Sequence, residues 1–142
     1  KLNECKFSVI LTPHEMEMAR ILGCEVSEAI EDRQAISYEY AIQNGVTLVL
    51  KGHHTIVTSP GGEQYIKING NSGMATGGSG DVLSGIIAAL VARCETETKA
   101  SAMGVYIHGL SGDLASSEKG EDSMLPTDMI FKIPDALKLP VE

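Results

Sequence analysis

The residues best suited to chemistry lie in a glycine-rich segment that ends in an aspartate. From Asn69 to Asp81 the chain reads NGNSGMATGGSGD, and an apolar stretch that begins VLSGII follows. Glycines let backbone N–H groups converge on an anion, and the start of a helix adds unpaired N–H groups and a partial positive charge. The helix dipole also favours an ionised Asp81 in the first turn. The segment predicts a phosphate site beside a carboxylate that can accept a hydroxyl proton during phosphoryl transfer.

The segment can also be compared with a simple glycine-rich turn and with other glycine-containing motifs. A glycine-rich turn in which Asp81 only caps a helix stays open on composition alone. No Lys-Ser or Lys-Thr pair follows the glycines, so the segment is not a Walker A loop. The run Gly78-Ser79-Gly80 lacks the third glycine of a dinucleotide fingerprint, and Ser79 lacks the final glycine of a nucleophile elbow.

The elements that must position this segment alternate between strands and helices. Apolar and β-branched runs predict strands at 7–11 and 46–50, the second buried on both faces. Residues 55–58 and 64–68 flank a Ser-Pro-Gly-Gly turn and predict a hairpin. The alternation indicates an α/β layered fold.

Capping residues and glycines predict where the helices begin and end. Thr12 is expected to cap a first helix that has Pro13 in its first turn and Glu15 in a capping box. The remaining predictions are an end at Gly23, a second helix from Ser27 to Asn44-Gly45, a helix over 81–93, a helix capped by Thr98 and ended by Gly120, and a short last helix capped by Thr127 and limited by Pro134.

Length and composition fit one globular domain and exclude several classes. The chain has 142 residues, 43% of them hydrophobic, and a net charge of −8 without a cationic cluster, so nucleic-acid binding is not expected. The longest purely apolar run, 86–92, is too short to cross a membrane, and no leader is recognised. The three widely spaced cysteines predict reduced, buried thiols in a cytoplasmic protein, and no metal site. Because Lys1 lies close to an apolar run, we expect that an upstream segment is missing.

The glycine-rich segment resembles the anion-hole loop of the ribokinase-like superfamily. The short signature of that superfamily is Gly-x-Gly-Asp, here residues 78–81. The longer string, Asn-x-Gly-Met-Ala-Thr-Gly-Gly-x-Gly-Asp-Val-Leu-x-Gly, is similar to that of the ADP- or ATP-dependent NAD(P)H-hydrate dehydratases, which repair hydrated NADH and NADPH. Three further segments resemble this family in order and spacing: Thr-Pro-His with Glu-Met at 12–18, Lys-Gly-x-x-Thr at 51–55, and the helical stretch 104–113. At Met16 the family often has glycine.

The resemblance implies a fold and a set of partners. The fold is a ribokinase-like layered α/β structure, with a mostly parallel sheet flanked by helices and a small hairpin. Residues 1–142 correspond to the C-terminal portion of a single nucleotide-binding domain. The implied ligands are ADP or ATP with Mg²⁺, and hydrated NADH or NADPH. A homo-oligomer, with a tetramer as one option, and a fused epimerase domain or missing N-terminal half are also implied.

The resemblance also assigns roles to individual residues. Asp81 is the implied catalytic base and contacts the substrate, and the N–H groups of Gly77, Gly78 and Gly80 stabilise the transferred phosphoryl group. The remaining implied contacts are His14, Glu17 and Arg20 with the substrate, and Lys51, Gly52, His53, His54, Thr55, Asn71, Ser72, Gly73, Met74, Ala75, Thr76 and Ser79 with the nucleotide. Without the resemblance, Lys51 is a loop-tip lysine and His14 a surface imidazole. His108, between apolar residues of a predicted helix, is expected to be packed rather than to bind a ligand.

The activity that these residues predict is dehydration of hydrated NAD(P)H. Asp81 deprotonates the ring hydroxyl as the nucleotide transfers its terminal phosphoryl group, and phosphate then leaves. A small-molecule kinase of the same superfamily would share Asp81 and the glycines but stop at the phosphorylated product. An inactive nucleotide-binding fragment is the third interpretation, since ligand crevices of open α/β sheets draw on loops from both halves of the sheet.

Overall fold

The computed structural model describes residues 2–94 and 96–139, apart from the side chain of Asn3. Ten helices and strands are found there, with two short 3₁₀ turns at Leu2–Glu4 and Ser72–Met74. They are β1 (Ile10–Leu11), α1 (Glu15–Leu22), α2 (Val26–Glu31), α3 (Arg33–Asn44), β2 (Thr47–Leu50), β3 (Ile56–Thr58), β4 (Gln64–Ile66), α4 (Ser79–Val91), α5 (Glu97–Lys119) and α6 (Pro126–Ala136).

The four strands form one sheet in the order β1-β2-β3-β4. Strand β1 pairs parallel to β2, with Ile10 opposite Thr47, and the three-helix connection α1–α3 joins them. The β2–β3 and β3–β4 pairs are antiparallel, and the predicted hairpin is confirmed. The described part of the sheet is therefore mixed, where a mostly parallel sheet was expected. Strands that follow one another through short loops can pair only antiparallel, and only the helical connection permits a parallel pair.

The sheet is buried on both faces. On one face Val49 and Val57 pack with Leu83 of α4 and with Val105 of α5. On the other face the alternate residues of β2, Leu48 and Leu50, pack against α1 and α3 through Met18 and Ala41. All four residues of β2 are buried, as its continuous apolar run predicted. The result is a three-layer arrangement with helices on both sides of the sheet.

The first strand is shorter than predicted. Phe7 is 84% exposed and lies outside β1. The N–H of Thr47 donates to the carbonyl of Val9, but the N–H of Val46 donates instead to Ala41 at the end of α3. Within the described residues, the ladder between β1 and β2 therefore begins with the Thr47–Val9 hydrogen bond, and the strand starts later than its apolar run.

The first helix is not capped by Thr12, and that prediction was wrong. The carbonyl of Pro13 accepts a hydrogen bond from Lys51 N–H, which holds the chain extended at 12–14. The cap is His14, whose Nδ1 accepts from Glu17 N–H at 3.1 Å, while the Glu17 carboxylate accepts from His14 N–H at 2.7 Å. The capping box therefore begins two residues later than its sequence signature suggested.

Three further helix predictions need correction. Thr96 rather than Thr98 caps α5, because the Thr98 hydroxyl is buried against that of Thr47 at 3.2 Å. Helix α6 begins at Pro126, not after Thr127, with the Asp128 carboxylate accepting from Leu125 N–H. Pro134 does not limit this helix, which continues to Ala136. Proline lacks only one donor, and its side chain is exposed in the last turn.

The predicted second helix is two helices. Asp32 has φ −135° and ψ 73°, outside the helical region, and its side chain caps α3 by accepting from Ala35 N–H at 3.0 Å. The predicted helix ends at Gly23, Gly45 and Gly120 are all confirmed. Gly23 and Gly45 adopt the left-handed conformation that ends helices most cheaply at glycine.

Two expectations concern membranes and cysteines. None of the helices in the described ranges is both long and apolar enough to cross a membrane. Cys5, Cys24 and Cys94 form no disulfide within the described ranges, but Cys5 is exposed and the other two are half-buried, so the expectation of buried thiols was wrong.

Candidate active site

The carboxyl ends of the two parallel strands lie side by side. The chain leaves β1 through Thr12 to His14 and leaves β2 at Lys51, and His14 and Lys51 form an isolated parallel bridge. The bridge is held by the hydrogen bond from Lys51 N–H to Pro13 O at 2.8 Å. Open α/β sheets bind ligands in the crevice outside the carboxyl ends of their parallel strands. The two segments predicted to contact substrate and nucleotide therefore meet at the edge of the sheet where ligands bind.

His14 and Glu17 form a rigid polar pair at the start of α1. The reciprocal hydrogen bonds of the capping box fix both side chains, and His14 Nε2 lies 3.5 Å from Glu17 Oε2. The backbone hydrogen bond from His14 lowers the pKa of Glu17, and the nearby charge of Lys51 lowers it further. Because His14 Nδ1 accepts a hydrogen bond, its ring proton lies on Nε2 in the neutral form. The pair presents a carboxylate and a ring N–H.

The Lys51 ammonium joins this pair to the glycine-rich segment. Its Nζ lies 3.6 Å from Glu17 Oε2. It also lies 3.3 Å from the point where a Cβ on Gly80 would stand, so the ammonium lies directly against the start of α4. Lys51, Glu17 and Gly80 come from three segments far apart in the sequence. The structure thus brings a residue predicted to contact the substrate, Glu17, close to two predicted to contact the nucleotide, Lys51 and Gly80, and Gly80 directly precedes Asp81.

We call residues 69–80 the glycine loop. Its first residues, which form the base of the loop, are anchored on α5. The Asp113 carboxylate accepts from Gly70 N–H at 2.8 Å and from Asn71 Nδ2 at 3.0 Å. Asn71 Nδ2 also donates to the Ser116 hydroxyl at 3.1 Å, and Asn71 Oδ1 accepts from Gly73 N–H. These contacts hold the loop where it leaves β4.

The tip of the glycine loop presents free backbone donors. Gly78 caps α4 with φ +96°, in the left-handed region that favours glycine. The N–H groups of Gly77, Gly78 and Gly80 have no acceptor within the described ranges, and a Cβ on Gly77 would meet only open space. These are the three N–H groups that the sequence proposed for a phosphoryl group. Asp81 is exposed in the first turn of the same helix, beside these donors.

His108 of α5 contacts the first residue of α4. Its Nε2 lies 2.9 Å from the carbonyl of Ser79 and 3.2 Å from the Ser79 hydroxyl. Burial lowers the pKa of His108 to about 4, and the nearby charge of Lys67 contributes. The ring is therefore neutral and donates from Nε2 to the Ser79 carbonyl. The prediction that His108 is packed inside the protein is confirmed.

The loop from Lys51 to Thr55 is shaped by Arg33, which the sequence reasoning did not identify. The Arg33 guanidinium donates to the carbonyls of Leu50 at 3.2 Å and His53 at 2.5 Å, and its Nε lies 3.2 Å from Glu15 Oε1. A Cβ on Gly52 would stand 2.5 Å from that Glu15 oxygen. The Thr55 hydroxyl donates to Gly52 O at 3.3 Å and closes the loop.

The histidines at the tip of this loop are not drawn into the site. His53 and His54 are exposed, and their ring centroids lie 3.9 Å apart. His54 has φ 56°, which turns the chain back toward the sheet. The described contacts join these residues to Arg33 through their carbonyls, so their side chains are free to face a ligand or solvent.

Two shallow cavities flank the centre. One of about 410 Å³ is lined by Leu11, Thr12, Pro13, Glu17, Arg20 and Ile21, so Arg20 shares a cavity with Glu17, another residue predicted to contact the substrate. The other, of about 310 Å³, includes Ser72, Gly73, Ala75 and Thr76 of the glycine loop and residues 121–125. The Ser72 hydroxyl donates to the Glu121 carboxylate there. Met74, which was predicted to contact the nucleotide, instead packs inward against Met124 and Met129.

Lys67 and Asp113 were missed along with Arg33 and Glu15. Burial lowers the pKa of the half-buried Lys67, and the charge of Asp113 opposes that effect. Its Nζ lies 2.7 Å from where a Cβ on Gly70 would stand, at the base of the glycine loop. Lys67 has no sequence motif around it, and Asp113 lies in the helical stretch that the resemblance covers without a role for it.

Comparisons with known proteins identify the family of the chain. A family model described as NAD(P)H-hydrate dehydratase matches residues 2–135. A bifunctional NAD(P)H-hydrate repair enzyme Nnr from Thermofilum pendens is 42% identical over 96% of this chain and 26% of its own length. An ADP-dependent (S)-NAD(P)H-hydrate dehydratase from Neisseria meningitidis is 44% identical over 82% of this chain and 39% of its own length.

A solved structure confirms the ribokinase-like α/β fold. ADP/ATP-dependent NAD(P)H-hydrate dehydratase from Bacillus subtilis, co-crystallised with ATP/Mg²⁺ and soaked with CoA, matches with a TM-score of 0.89 at 33% identity. The match covers 92% of this chain and 48% of that one. The chain thus spans less than half the length of each of these three proteins. The family model covers nearly the whole chain, and the chain belongs to the NAD(P)H-hydrate dehydratase family.

Proposed function

We propose that this chain carries the nucleotide-using part of an enzyme that dehydrates hydrated NADH and NADPH. The observation that carries the proposal is the position of the Lys51 ammonium between the Glu17 carboxylate, 3.6 Å away, and the start of α4 at Gly80. A cation here serves a nucleotide phosphate on one side and leaves the His14–Glu17 pair for the substrate on the other. The names of the relatives supply the substrate and the nucleotide.

The residues divide the reaction between them. The ring hydroxyl of the hydrated dihydronicotinamide gives its proton to Asp81 while its oxygen attacks the terminal phosphorus of ADP or ATP. The free N–H groups of Gly77, Gly78 and Gly80 and the Lys51 ammonium stabilise the charge on the transferred group. The C–O bond then breaks with loss of a ring proton, and inorganic phosphate leaves. The products are the dihydronicotinamide, phosphate, and AMP or ADP.

Magnesium fits this arrangement as a companion of the nucleotide. The part of the chain that the structure describes holds no group of three or more His, Cys, Asp or Glu side chains able to cage a metal. Mg²⁺ commonly keeps several waters and binds through substrate phosphates and one or two carboxylates. Asp81, exposed beside the free N–H groups, and Glu17, 3.6 Å from Lys51, are the carboxylates near which the ion would sit. Bound Mg²⁺ would neutralise phosphate charge.

The whole protein is proposed to have a second activity and to assemble with copies of itself. The relative from Thermofilum pendens is named bifunctional, which supports a second activity in the whole protein, such as the epimerase expected by resemblance. We also propose the homo-oligomer and the cytoplasmic location on the resemblance. Chromatography with light scattering tests the oligomer.

Recovery of NADH from hydrated NADH tests the proposal. The chain is incubated with ADP or ATP and Mg²⁺, and NADH absorbance and phosphate release are followed together. We expect equal amounts of both products from the wild type, and a loss of about a hundredfold or more in Asp81→Asn. Asp135→Asn, which removes an exposed carboxylate paired with Lys138, is the control. Nucleotide-dependent phosphorylation without NADH recovery would indicate the kinase instead. Recovery undiminished in Asp81→Asn would refute the role of this residue.

A further inference from the structure

Asp113 is the strongest unassigned contact of the glycine loop. It lies half-buried on α5, and its two carboxylate oxygens are divided between two parts of the loop base. Oδ2 accepts from Gly70 N–H at 2.8 Å, and Oδ1 accepts from Asn71 Nδ2 at 3.0 Å. Hydrogen bonds to an ionised acceptor are about twice as strong as those between neutral groups. One side chain thus fixes both the backbone and the next side chain.

Asn71 passes this constraint along the loop. Its amide nitrogen faces Asp113 and the Ser116 hydroxyl, and its amide oxygen accepts from Gly73 N–H at 3.1 Å. The Gly73 bond caps the 3₁₀ turn over Ser72–Met74, which leads to the loop tip. If the amide rotated by half a turn, its oxygen would face the Asp113 carboxylate and the bond to Gly73 would be lost. Asp113 therefore sets the direction of the Asn71 amide.

The surface of α5 is shaped to receive the loop at this point. A Cβ on Gly112 would collide with Met74 Sδ, and a Cβ on Gly109 would collide with Asn69 Oδ1. The helix and the loop are thus in closer contact than any larger residue at these positions allows. Asp113 and the two glycines share one side of the contact, with the Lys67 ammonium close by.

We propose that Asp113 is a positioning residue that holds the glycine loop in the conformation that binds the nucleotide. We call the contacts of Asp113 with Gly70 and Asn71 the clamp. The proposal rests on the proposed function for the identity of the ligand, but the clamp itself is a property of the unliganded chain. If the loop leaves this conformation, apparent nucleotide affinity falls in proportion to the competent fraction. Asp113 does not touch the reacting atoms. It acts through Asn71 and Gly70.

A polarity swap between residues 113 and 71 tests the clamp. In Asp113→Asn, the new amide nitrogen faces the Asn71 amide nitrogen, and two donors oppose each other. In Asn71→Asp, two carboxylates face each other. In the double variant, the new amide at position 113 accepts from Gly70 N–H and donates to the new carboxylate at position 71, which still accepts from Gly73 N–H. In the wild type the Ser116 hydroxyl accepts from Asn71 and donates to the Asp113 carbonyl, and it can donate to the new carboxylate instead by giving up the bond to that carbonyl.

Two measurements are made on all three variants and the wild type. Amide hydrogen exchange over residues 70–80 in the unliganded chain reports the clamp, and titration with ADP reports nucleotide affinity. We expect each single variant to exchange the Gly70 amide about tenfold faster and to bind ADP about tenfold more weakly, as for loss of a charge-assisted hydrogen bond. The double variant should recover most of both losses. Glu118→Gln, which removes a charge from α5 that pairs with Lys132, should match the wild type.

Each outcome bears on the proposal. Wild-type exchange and affinity in Asp113→Asn would overturn it, and so would a double variant no better than the single ones. If Asp113→Asn does not fold, the comparison of Asn71→Asp with the double variant still decides. A wild-type chain that binds no ADP would count against the proposed function. Faster or unchanged amide exchange at Gly70 in Asp113→Asn would still support or refute the clamp. Recovery of affinity in the double variant is not expected of a residue that only stabilises the fold.

Discussion

At the scale of single residues, the site depends on how one ammonium is shared. Lys51 Nζ faces Glu17 on α1 and Gly80 at the start of α4, and no other cation of the described site has both neighbours. The start of α4 offers the free N–H groups of Gly78 and Gly80 and a partial positive charge, which together with Lys51 concentrate positive potential at this point. The Glu17 carboxylate offsets part of that field while no anion is present. The arrangement favours a ligand with more than one negative charge.

Replacing Lys51 by Gln should weaken nucleotide binding. The variant removes the cation but keeps a polar side chain of similar length, so we expect the dissociation constant for ADP to rise about tenfold to a hundredfold. Isothermal titration measures it. Lys119→Gln, at the exposed end of α5, is the matched control and should bind as the wild type does. Equal affinity in the two variants would remove Lys51 from the nucleotide site.

Sequence reasoning reached the site residues that motifs carry and missed the ones that support them. His14, Glu17, Lys51 and the glycines lie in recognisable strings, and the structure brings them together. Arg33 and Asp113 contact residues 17 and 43 positions away, and nothing local to either marks those contacts. Their importance comes from tertiary proximity, which a single sequence does not record.

At the scale of elements, helices α4 and α5 form the layer that supports the glycine loop. Their contact relies on Gly104, where a Cβ would lie 2.6 Å from Ile87 Cγ1. Gly85 lies in α4, and a Cβ there would meet no other atom within 4 Å. Gly104 in α5 and Gly85 in α4 both have helical backbone conformations, and they differ in the space around them. They separate the cost of packing from the cost of helix propensity.

Alanine at these two positions should have opposite effects. Gly85→Ala should raise the free energy of unfolding by about 0.5–1 kcal/mol, because glycine is a poor helix former. Gly104→Ala should lower it by about 1–3 kcal/mol, because the overpacking against Ile87 exceeds the gain in propensity. Urea unfolding followed by circular dichroism measures both. A stabilised Gly104→Ala would mean that α4 and α5 separate easily at this crossing.

Helix ends were easier to predict than helix starts. Gly23 and Gly45 end their helices because a left-handed residue is needed there and glycine adopts that conformation cheaply. Starts have several candidate caps within a few residues, and distant contacts choose among them. The hydrogen bond from Lys51 N–H to Pro13 O keeps the chain extended up to His14, which therefore caps α1. The Thr98 hydroxyl is hydrogen-bonded to that of Thr47 and does not cap α5.

At the scale of the whole molecule, the layers are coupled by buried polar contacts as well as by apolar packing. His108 is only 7% exposed, and it connects α5 to the first residue of α4 through Ser79. Since the ring is buried as the neutral form, its protonation opposes the folded state. The layer that supports the glycine loop is thereby sensitive to acid.

Stability should fall between about pH 7 and pH 5 because of His108. Its folded pKa of about 4 lies below the ordinary histidine value of 6.5. The unfolded chain therefore takes up the proton first as pH falls, and stability is lost over that window, by about 2 kcal/mol between pH 7 and pH 5. Urea unfolding at both pH values measures the change. His108→Gln can still donate to Ser79, and its pH dependence should be flatter by this amount. Parallel profiles in the two proteins would contradict the assignment.

The strand order has a consequence for how the protein folds. Strands β2, β3 and β4 follow one another through short loops and pair in sequence, whereas β1 reaches β2 only across α1, α2 and α3. Loop-closure entropy delays pairings between distant segments. We therefore expect the antiparallel meander to form first and β1 to join late, bringing His14 to Lys51 in one of the last steps. On this route the cation is in place before its partners, and the anion-binding centre is completed only when the chain is nearly native.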